Sequence, residues 1–554
     1  MIRKYLTLIF IIILASFLRL YKLDTVPVSM FGDEMDVGYQ AYSILKTGKD
    51  YYGNFMPFHF HSIAEWRTPA YIYSAVPTVA IFGITPLGVR LPAAIFGILG
   101  VIGFYFLIKQ IRLTYLGIKG SSLETIASFL LAISPWHIQY SRAGFEVTQM
   151  LFFLIFGIFF FFESFKKNSK FLLVSAAFFG LMPWVYSTAK LFTPMLVIFL
   201  ILIFSRNLSK LDKRNLAGSI LVFALFIVPL VFTILFGGGA QRFSYISVFS
   251  DPTIKHEVGV ARDIDGWGNN VFSRAFHNKF TFWGEAVIDN FLNSFSNNFL
   301  FVGGDINLRH SIKGMGMFYK VEFIALILGI SFFFLKNIDT KIKNFFAFWI
   351  IAGAIPSAIT REGGGHATRL ILILPPLLFL ISYGINLLAK RRFLLYFYFF
   401  VLGMLFINYQ HLFWIHNPTY SERWWHYGWK ESVSFIKQVE DKYSKVVIST
   451  ADEPPLVFFL ASYEYPPSRW HEEFLNQKEI VLKNKFYFQR LDGDVYSWGK
   501  ALDKNTLYLA SEKEVKVNLI REPERTPGDL ILLKSIPFPS GEPAFYIFSG
   551  KEKK

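Results

Sequence analysis

The sequence predicts an α-helical polytopic membrane protein, with about eleven transmembrane helices and a small α/β domain at its C-terminal end. Three observations carry this. Hydrophobic residues make up 53% of the 554 residues and mean hydropathy is +0.39, above the apolar share of an ordinary soluble domain. The apolar residues are gathered in long runs: Leu6–Phe17, Ala94–Ile108, Leu151–Phe162, Leu191–Phe204, Ile220–Phe236, Val321–Leu335 and Phe393–Leu412. With their flanks these reach the roughly 20 residues that cross a ~30 Å hydrocarbon core. Lysine and arginine cluster between the runs, as topology anchors do.

The formal charge of +16, distributed in this way, points to anchoring and anionic-lipid contact and not to nucleic acid. There is no cysteine, which excludes disulfides, thiolate nucleophiles and Cys-ligated metals. Arg3 and Lys4 precede an apolar stretch as in a signal peptide. Ala15-Ser16 leads into Phe17-Leu18-Arg19 instead of a cleavage pattern, so an uncleaved first span is expected.

The positive-inside rule orders the elements. A cytoplasmic N-terminus sends the first span outward and leaves Tyr21–Pro69 outside. Ala70–Ile84 is short and carries Pro77, which suits an interfacial helix within a first outer loop of residues 21–87. Were it to cross, Lys109, Arg112 and Lys119 would fall on the outer side. Val89–Ile108 therefore returns to the cytoplasm, Leu123–Ile138 goes out, and Val147–Phe162 returns to Lys166, Lys167 and Lys170. Phe171–Tyr186 goes out, Leu191–Phe204 returns to Arg206–Arg214, and Leu216–Phe236 goes out to a long outer loop, residues 237–317. Phe318–Leu335 returns, Phe345–Ile359 goes out, Leu370–Leu388 returns to Lys390–Arg392, and Phe393–Leu412 goes out. A transmembrane domain of residues 1–412 and an extracytoplasmic domain of residues 413–554 result. In the latter, Lys430–Asp441 has helical spacing, and Val446–Ser449, Leu507–Ala510 and Leu530–Leu533 read as strands.

The candidate chemical groups concentrate in the outer loops. The first carries Phe31-Gly32-Asp33-Glu34-Met35-Asp36 and Glu65-Trp66-Arg67-Thr68-Pro69. Adjacent carboxylates beside aromatics at a membrane surface can accept a proton from a hydroxyl or amine, although acidic pairs are also common in solvated loops. Glu146 opens a returning span after Tyr140-Ser141-Arg142. There an ionisable group is costly unless it faces a polar cavity or meets the helix dipole. Lys190 adds a cation in the same layer, with snorkelling as its ordinary explanation. Arg361-Glu362-Gly363-Gly364-Gly365-His366-Ala367-Thr368-Arg369 is glycine-rich and basic, suited to cradling a phosphate or to capping two helices. The long loop offers His277 and the stretch Gly303–Ser311, with Asp305, Arg309 and His310. Asp305, His310 and a distant carboxylate would allow a divalent metal, but their spacing matches no metal motif.

Taken in order, these motifs resemble the GT-C membrane glycosyltransferases, above all the bacterial relatives of the protein O-mannosyltransferases and of the lipid A aminoarabinose transferase. The resemblance rests on Arg19-Leu20-Tyr21, Asp33-Glu34, Arg90-Leu91-Pro92, Ser134-Pro135-Trp136-His137 through Glu146, Arg309-His310-Ser311 and His366 to Arg369. It implies a GT-C fold and a polyprenyl monophosphate-linked sugar donor. It also implies transfer with inversion to a protein, lipid or glycan acceptor on the outer face of the plasma membrane. By the same resemblance Asp33 is the general base with Glu34 in support, and Glu146 helps to place acceptor or base. Lys190, His366 and Arg369 hold the departing phosphate. Arg142, Glu65, Arg67, Arg309 and His310 are candidate substrate-binding residues. Glu65-Trp66-Arg67-Thr68-Pro69 departs from the acidic-Tyr-Lys-Pro-Pro pattern of the family, which leaves the register of that segment open. No cofactor is expected to be required.

Two other functions fit parts of the sequence. A polyprenyl-lipid or sugar transporter or flippase also places charges near membrane cavities, but usually at mid-depth and with repeat symmetry. No repeat is visible, and the charges cluster in loops. An oligosaccharide transferase or ligase using a pyrophosphate lipid would differ in its donor and metal requirement.

Overall fold

Apolar helices dominate the computed structural model, which describes residues 2–62, 66–118, 122–237, 239, 241–266, 270–476 and 480–552. Among them, five helices are long and apolar enough to cross a membrane: Pro86–Leu116, Val147–Ser164, Lys213–Phe236, Ala367–Leu388 and Arg392–Tyr420. Shorter apolar helices are Leu6–Leu20, Pro69–Phe82, Leu123–Ile133, Phe171–Trp184, Ala189–Ile203 and Glu322–Leu335. The contacts divide the chain into two units, one of residues 1–21 with 93–411 and one of residues 22–92 with 412–554.

In the first unit, the Ala367–Leu388 window is 89% buried and that of Lys213–Phe236 only 11%. The former is a central element. The latter shows Leu221, Leu225, Val228, Phe232 and Leu235 on its surface, as a helix whose solvent is lipid would. The Glu322–Leu335 and Leu374–Leu388 helices cross at backbone distance. A Cβ on Gly329 would lie 1.9 Å from the Leu380 carbonyl oxygen, and one on Gly384 would lie 2.0 Å from that of Ala325. Small residues permit this crossing, and tight packing in a bilayer depends on such approaches.

Proline sets two interruptions that the apolar pattern conceals. The run expected as one span over Leu123–Ile138 ends its helix at Ile133 and restarts as Pro135–Ser141. Pro135 suits a first helical position, and the Ser134 hydroxyl caps the new helix by accepting from His137 N–H. Ala367–Leu388 likewise tightens to a 3₁₀ turn at Ile371–Ile373 before Pro375 and Pro376. Arg112, placed on the cytoplasmic side by the topology argument, is 4% exposed. Its guanidinium grips both oxygens of Glu124 at 2.7 and 3.0 Å. Lys119, used with it in the topology argument, lies outside the described residues. The long loop is mostly helical (Gln241–Ile246, Thr253–Ile264, Val271–Phe276 and Lys279–Asn293), the last opened by a capping box between Asn278 and Thr281.

In the second unit, residues of the first loop form a helix, Gly32–Thr47, closed by Gly48 in the left-handed conformation at φ +71°. A two-stranded ribbon follows, pairing Phe60 with Arg67 and His61 with Trp66. The helix Pro69–Phe82 has 14 residues, a rise of about 21 Å, too short to cross a ~30 Å core alone. The C-terminal residues form a six-stranded mixed sheet. Its order is Val481–Leu482, Phe486–Phe488, Lys445–Ile448, Thr506–Ser511, Pro543–Gly550, Leu530–Pro537. Lys445–Ile448 runs parallel to both neighbours, and the remaining pairs are antiparallel. Trp498, Tyr508, Tyr546 and Phe548 form a core on one side of it.

The first-loop segment and the C-terminal residues share this unit through polar contacts as well as packing. Tyr39 donates its hydroxyl to the Tyr465 carbonyl, and Trp470 Nε1–H donates to the Tyr51 carbonyl, each at 2.9 Å. Phe31 meets Trp425 edge to face at 5.4 Å.

Candidate functional site

The Gly32–Thr47 helix places Asp33 and Glu34 in its first turn, where unpaired N–H groups and the helix dipole favour negative charge. Being adjacent, the two carboxylates point in different directions and meet different surroundings. Glu34 is fully buried. Both its oxygens are gripped by Arg90, Nε to Oε1 at 2.7 Å and Nη2 to Oε2 at 2.9 Å. Arg90 also donates to the Leu23, Pro27 and Ser29 carbonyls and lies 5.6 Å from the Trp425 ring. This pair ties the helix start to the preceding coil, so Glu34 supports the helix that carries Asp33.

Asp33 is half exposed and accepts from Arg67 Nη2 at 2.7 Å. Arg67, on the ribbon, is held from behind by buried Asp36, with Nε 2.7 Å from Oδ2. The Tyr51 hydroxyl stands beside Asp36. Burial first, and then that carboxylate, push its phenol well above the ordinary value, so Tyr51 stays neutral. Arg67, a candidate substrate-binding residue, is thus the clamp that orients Asp33. Asp36 is a site residue the sequence reading passed over. Its place three residues after Asp33 on one helix face was the signal available. Glu65 lies outside the described residues.

In the other unit, Lys190 and Arg369 come together on a cavity of about 280 Å³. Tyr186, Leu191, Ile234, Phe243, Ile246, Pro356 and Ile359 line it. Lys190 Nζ donates to the Gly239 carbonyl at 2.8 Å. Arg369 Nη1 donates to the Thr360 hydroxyl and the Arg361 carbonyl at 2.7 and 2.9 Å. Two cations fixed on an apolar-walled cavity have the chemistry to hold an anion carried on a hydrocarbon.

His366, expected with those two cations, does not line that cavity. It lies with Asp305 and His310, their nearest ligand atoms all within 4.8 Å of one another. His310 Nδ1 is 3.0 Å from Asp305 Oδ2, which also accepts from Ala367 N–H at 2.9 Å. Burial would raise the Asp305 pKa. The hydrogen bond from His310, the imidazoles of His310 and His366, and the Ala367 N–H together hold it below its ordinary value.

Arg142 is fully buried and donates to the Leu18 carbonyl at 2.9 Å, so it has no surface to offer a ligand. Nearby Arg19 is buried too, with Nη2 2.6 Å from His137 Nδ1. Glu146 caps the Val147–Ser164 helix without a side-chain cap bond. Arg309 Nε donates to the Asn307 side chain at 3.3 Å, and its carbonyl accepts from Gln139.

Residues 67–232 match the family model described as dolichyl-phosphate-mannose-protein mannosyltransferase. The structure resembles ArnT from Cupriavidus metallidurans bound to undecaprenyl phosphate, with a TM-score of 0.51 at 10% identity, covering 98% of this chain and 97% of that one. It also resembles the oligosaccharyltransferase of Archaeoglobus fulgidus tethered with an acceptor peptide, with a TM-score of 0.50 at 12% identity, covering 97% and 73%. Against the same archaeal enzyme in complex with an inhibitory peptide and a dolichol-phosphate, the TM-score is 0.48 at 14% identity. There 83% of this chain is covered, and the chain spans 64% of the other's length. No curated protein matches the sequence. With a mannosyltransferase family match inside a helical membrane architecture of this kind, the chain carries the GT-C fold of the membrane glycosyltransferases.

Proposed function

We propose that the protein is an inverting glycosyltransferase that moves a sugar from a polyprenyl monophosphate-linked donor to an acceptor on the outer face of the membrane. The observation that carries this reading is the apolar cavity bearing Lys190 and Arg369. Its walls suit a prenyl chain and its cations suit one phosphate. The family match to dolichyl-phosphate-mannose-dependent enzymes and the undecaprenyl phosphate bound in ArnT support the same donor class.

Inversion needs one displacement. The acceptor O–H or N–H gives its proton to Asp33, and the acceptor's electron pair attacks the anomeric carbon on the face opposite the phosphate. The carbon–oxygen bond breaks, and its electrons leave on the phosphate oxygen. Negative charge grows there as the bond breaks, so cations held in place stabilise the transition state more than the ground state. Arg67, braced by Asp36, keeps the Asp33 carboxylate oriented. The reaction requires no enzyme nucleophile, in keeping with a chain without cysteine.

The test is mass spectrometry of lipids that co-purify in mild detergent, with wild type beside Lys190→Ala/Arg369→Ala. Polyprenyl monophosphate, bare or glycosylated, retained by wild type and lost by the double variant, is the expected result. Pyrophosphate lipids would replace this reading with the ligase one. Bulk phospholipids alone, in both proteins, would overturn the donor assignment.

A further inference from the structure

We propose that Asp305, His310 and His366 form a binding site for one divalent transition-metal ion, of the zinc class, that clips the 303–317 segment to the loop before Ala367. The proposal stands on the geometry of this cage and not on the transfer reaction.

Four features point to an ion. The donor set is two imidazole nitrogens and one carboxylate, a borderline set that suits Zn²⁺ or Co²⁺ better than the all-oxygen shells of Ca²⁺ and Mg²⁺. The ligand atoms converge from two segments far apart in sequence to within 4.8 Å. A four-coordinate ion with bonds of about 2.0–2.2 Å needs ligand atoms roughly 3.3 Å apart. Asp305 and His310 already stand at 3.0 Å, and the His366 ligand atom lies within 4.8 Å of both.

Third, the groups behind the ligands are oriented. Ala367 N–H donates to Asp305 Oδ2 and Asn307 N–H to Oδ1, both at 2.9 Å, which fixes the carboxylate plane as outer-shell partners of metal ligands do. The imidazole of His310 is flanked by Tyr140 and Phe145, at ring-centre distances of 6.0 and 5.6 Å. Fourth, three protein ligands leave a fourth position open, the arrangement of a site that also takes an exogenous oxygen. A hydrogen-bonded Asp–His link would account for Asp305 and His310 alone. It does not require the second imidazole, whose ring centre lies 5.0 Å from the first.

The full-length protein, carrying an affinity tag without histidine, is stripped with EDTA in detergent and dialysed against Zn²⁺ or Co²⁺. Elemental analysis should return about one ion per chain, and Co²⁺ should give the visible absorption of a four-coordinate site. Asp305→Asn and His366→Gln should each lower the affinity at least tenfold. Should either variant fail to fold, the wild type still decides. Zn²⁺ should protect His310 and His366, but not exposed His256, from diethyl pyrocarbonate, read by peptide mass spectrometry. Absence of stoichiometric metal, or equal labelling with and without Zn²⁺, overturns the proposal. So does a metal content unchanged in both variants, which would mark an adventitious ion only. None of these readouts depends on glycosyl transfer.

Discussion

Glu34 and Asp33 are neighbours in sequence, yet the structure assigns them opposite consequences on substitution. Glu34 and Arg90 are both 0% exposed and meet through two short hydrogen bonds. Glu34→Ala leaves a buried guanidinium facing only carbonyl oxygens, and removing one partner of such a pair costs about 3–5 kcal/mol. Asp33 is 50% exposed, where an ion pair contributes about 0–1 kcal/mol. In a unit of this size each kcal/mol moves the apparent melting temperature by roughly 2–4 °C. Glu34→Ala should therefore lower the transition by roughly 6–20 °C, and Asp33→Asn by no more than about 4 °C. The assay is tryptophan fluorescence during a thermal ramp in detergent, in which Trp425, one of 12 tryptophans, lies against Arg90. Activity should divide the other way: Asp33→Asn abolishes transfer in a protein that folds normally. A Glu34→Ala variant as stable as wild type would refute the structural role of the pair. An Asp33→Asn variant as unstable as Glu34→Ala, or one that still transfers sugar, would refute the role given to Asp33.

Arg369→Ala removes a charged donor from the cavity and should weaken polyprenyl phosphate binding by about 1.5–3 kcal/mol, roughly ten- to hundredfold, read by lipid competition in nanodiscs. Trp470→Ala deletes a buried indole and its bond to the Tyr51 carbonyl at a cost of about 3–5 kcal/mol. Limited proteolysis should then cut residues 48–62 before the transmembrane helices. Gly384→Leu forces a side chain against the Ala325 carbonyl and should lower the yield of folded protein, while Gly403→Leu, whose Cβ meets nothing within 4 Å, should not. Asp251 accepts from the N–H and hydroxyl of Thr253, which holds its carboxyl below the ordinary value, the backbone N–H first among the causes. Since its folded pKa is depressed, this contribution is present above the unfolded value of about 3.9 and is lost as pH falls through the folded one. Amide exchange at Thr253, relative to neighbouring amides, should therefore accelerate only below about pH 4.

Much of the helical architecture is legible in the sequence because lipid and protein both select apolar side chains over long stretches. Runs such as Phe393–Leu412 and Ile220–Phe236 state their elements directly. The Gly32–Thr47 helix is illegible by the same criterion. Its buried face includes Glu34, Asp36, Gln40 and Ser43, because arginines and backbone groups contributed from elsewhere compensate them. A hydrophobic-periodicity test sees no stripe. The long loop hides its helices for the related reason that short segments such as Val271–Phe276 are set by caps more than by an apolar face. Of the candidate residues, Asp33 in one unit and Lys190 and Arg369 in the other are marked by residue type and motif order. The division of labour among them is not. Arg67, braced by Asp36, orients Asp33, and His366 joins Asp305 instead of Lys190 and Arg369, because partners tens of residues apart are decided by the tertiary fold.

The first-loop helix bearing Asp33 packs on the helices Pro455–Tyr463 and Pro467–Asn476, although residues 93–411 belong to the other unit. During synthesis the segment around Asp33 emerges early but cannot acquire its final surroundings until the last part of the chain has been translated. Closing so long a loop costs little more entropy than closing a short one, so the delay is one of timing and carries little thermodynamic penalty. A nascent chain arrested before residue 412 would lack these two helices on which the Gly32–Thr47 helix packs. The packing of this helix, unlike the Asp33–Arg67–Asp36 link within the first loop, is therefore settled only after the Pro455–Tyr463 and Pro467–Asn476 helices have been made.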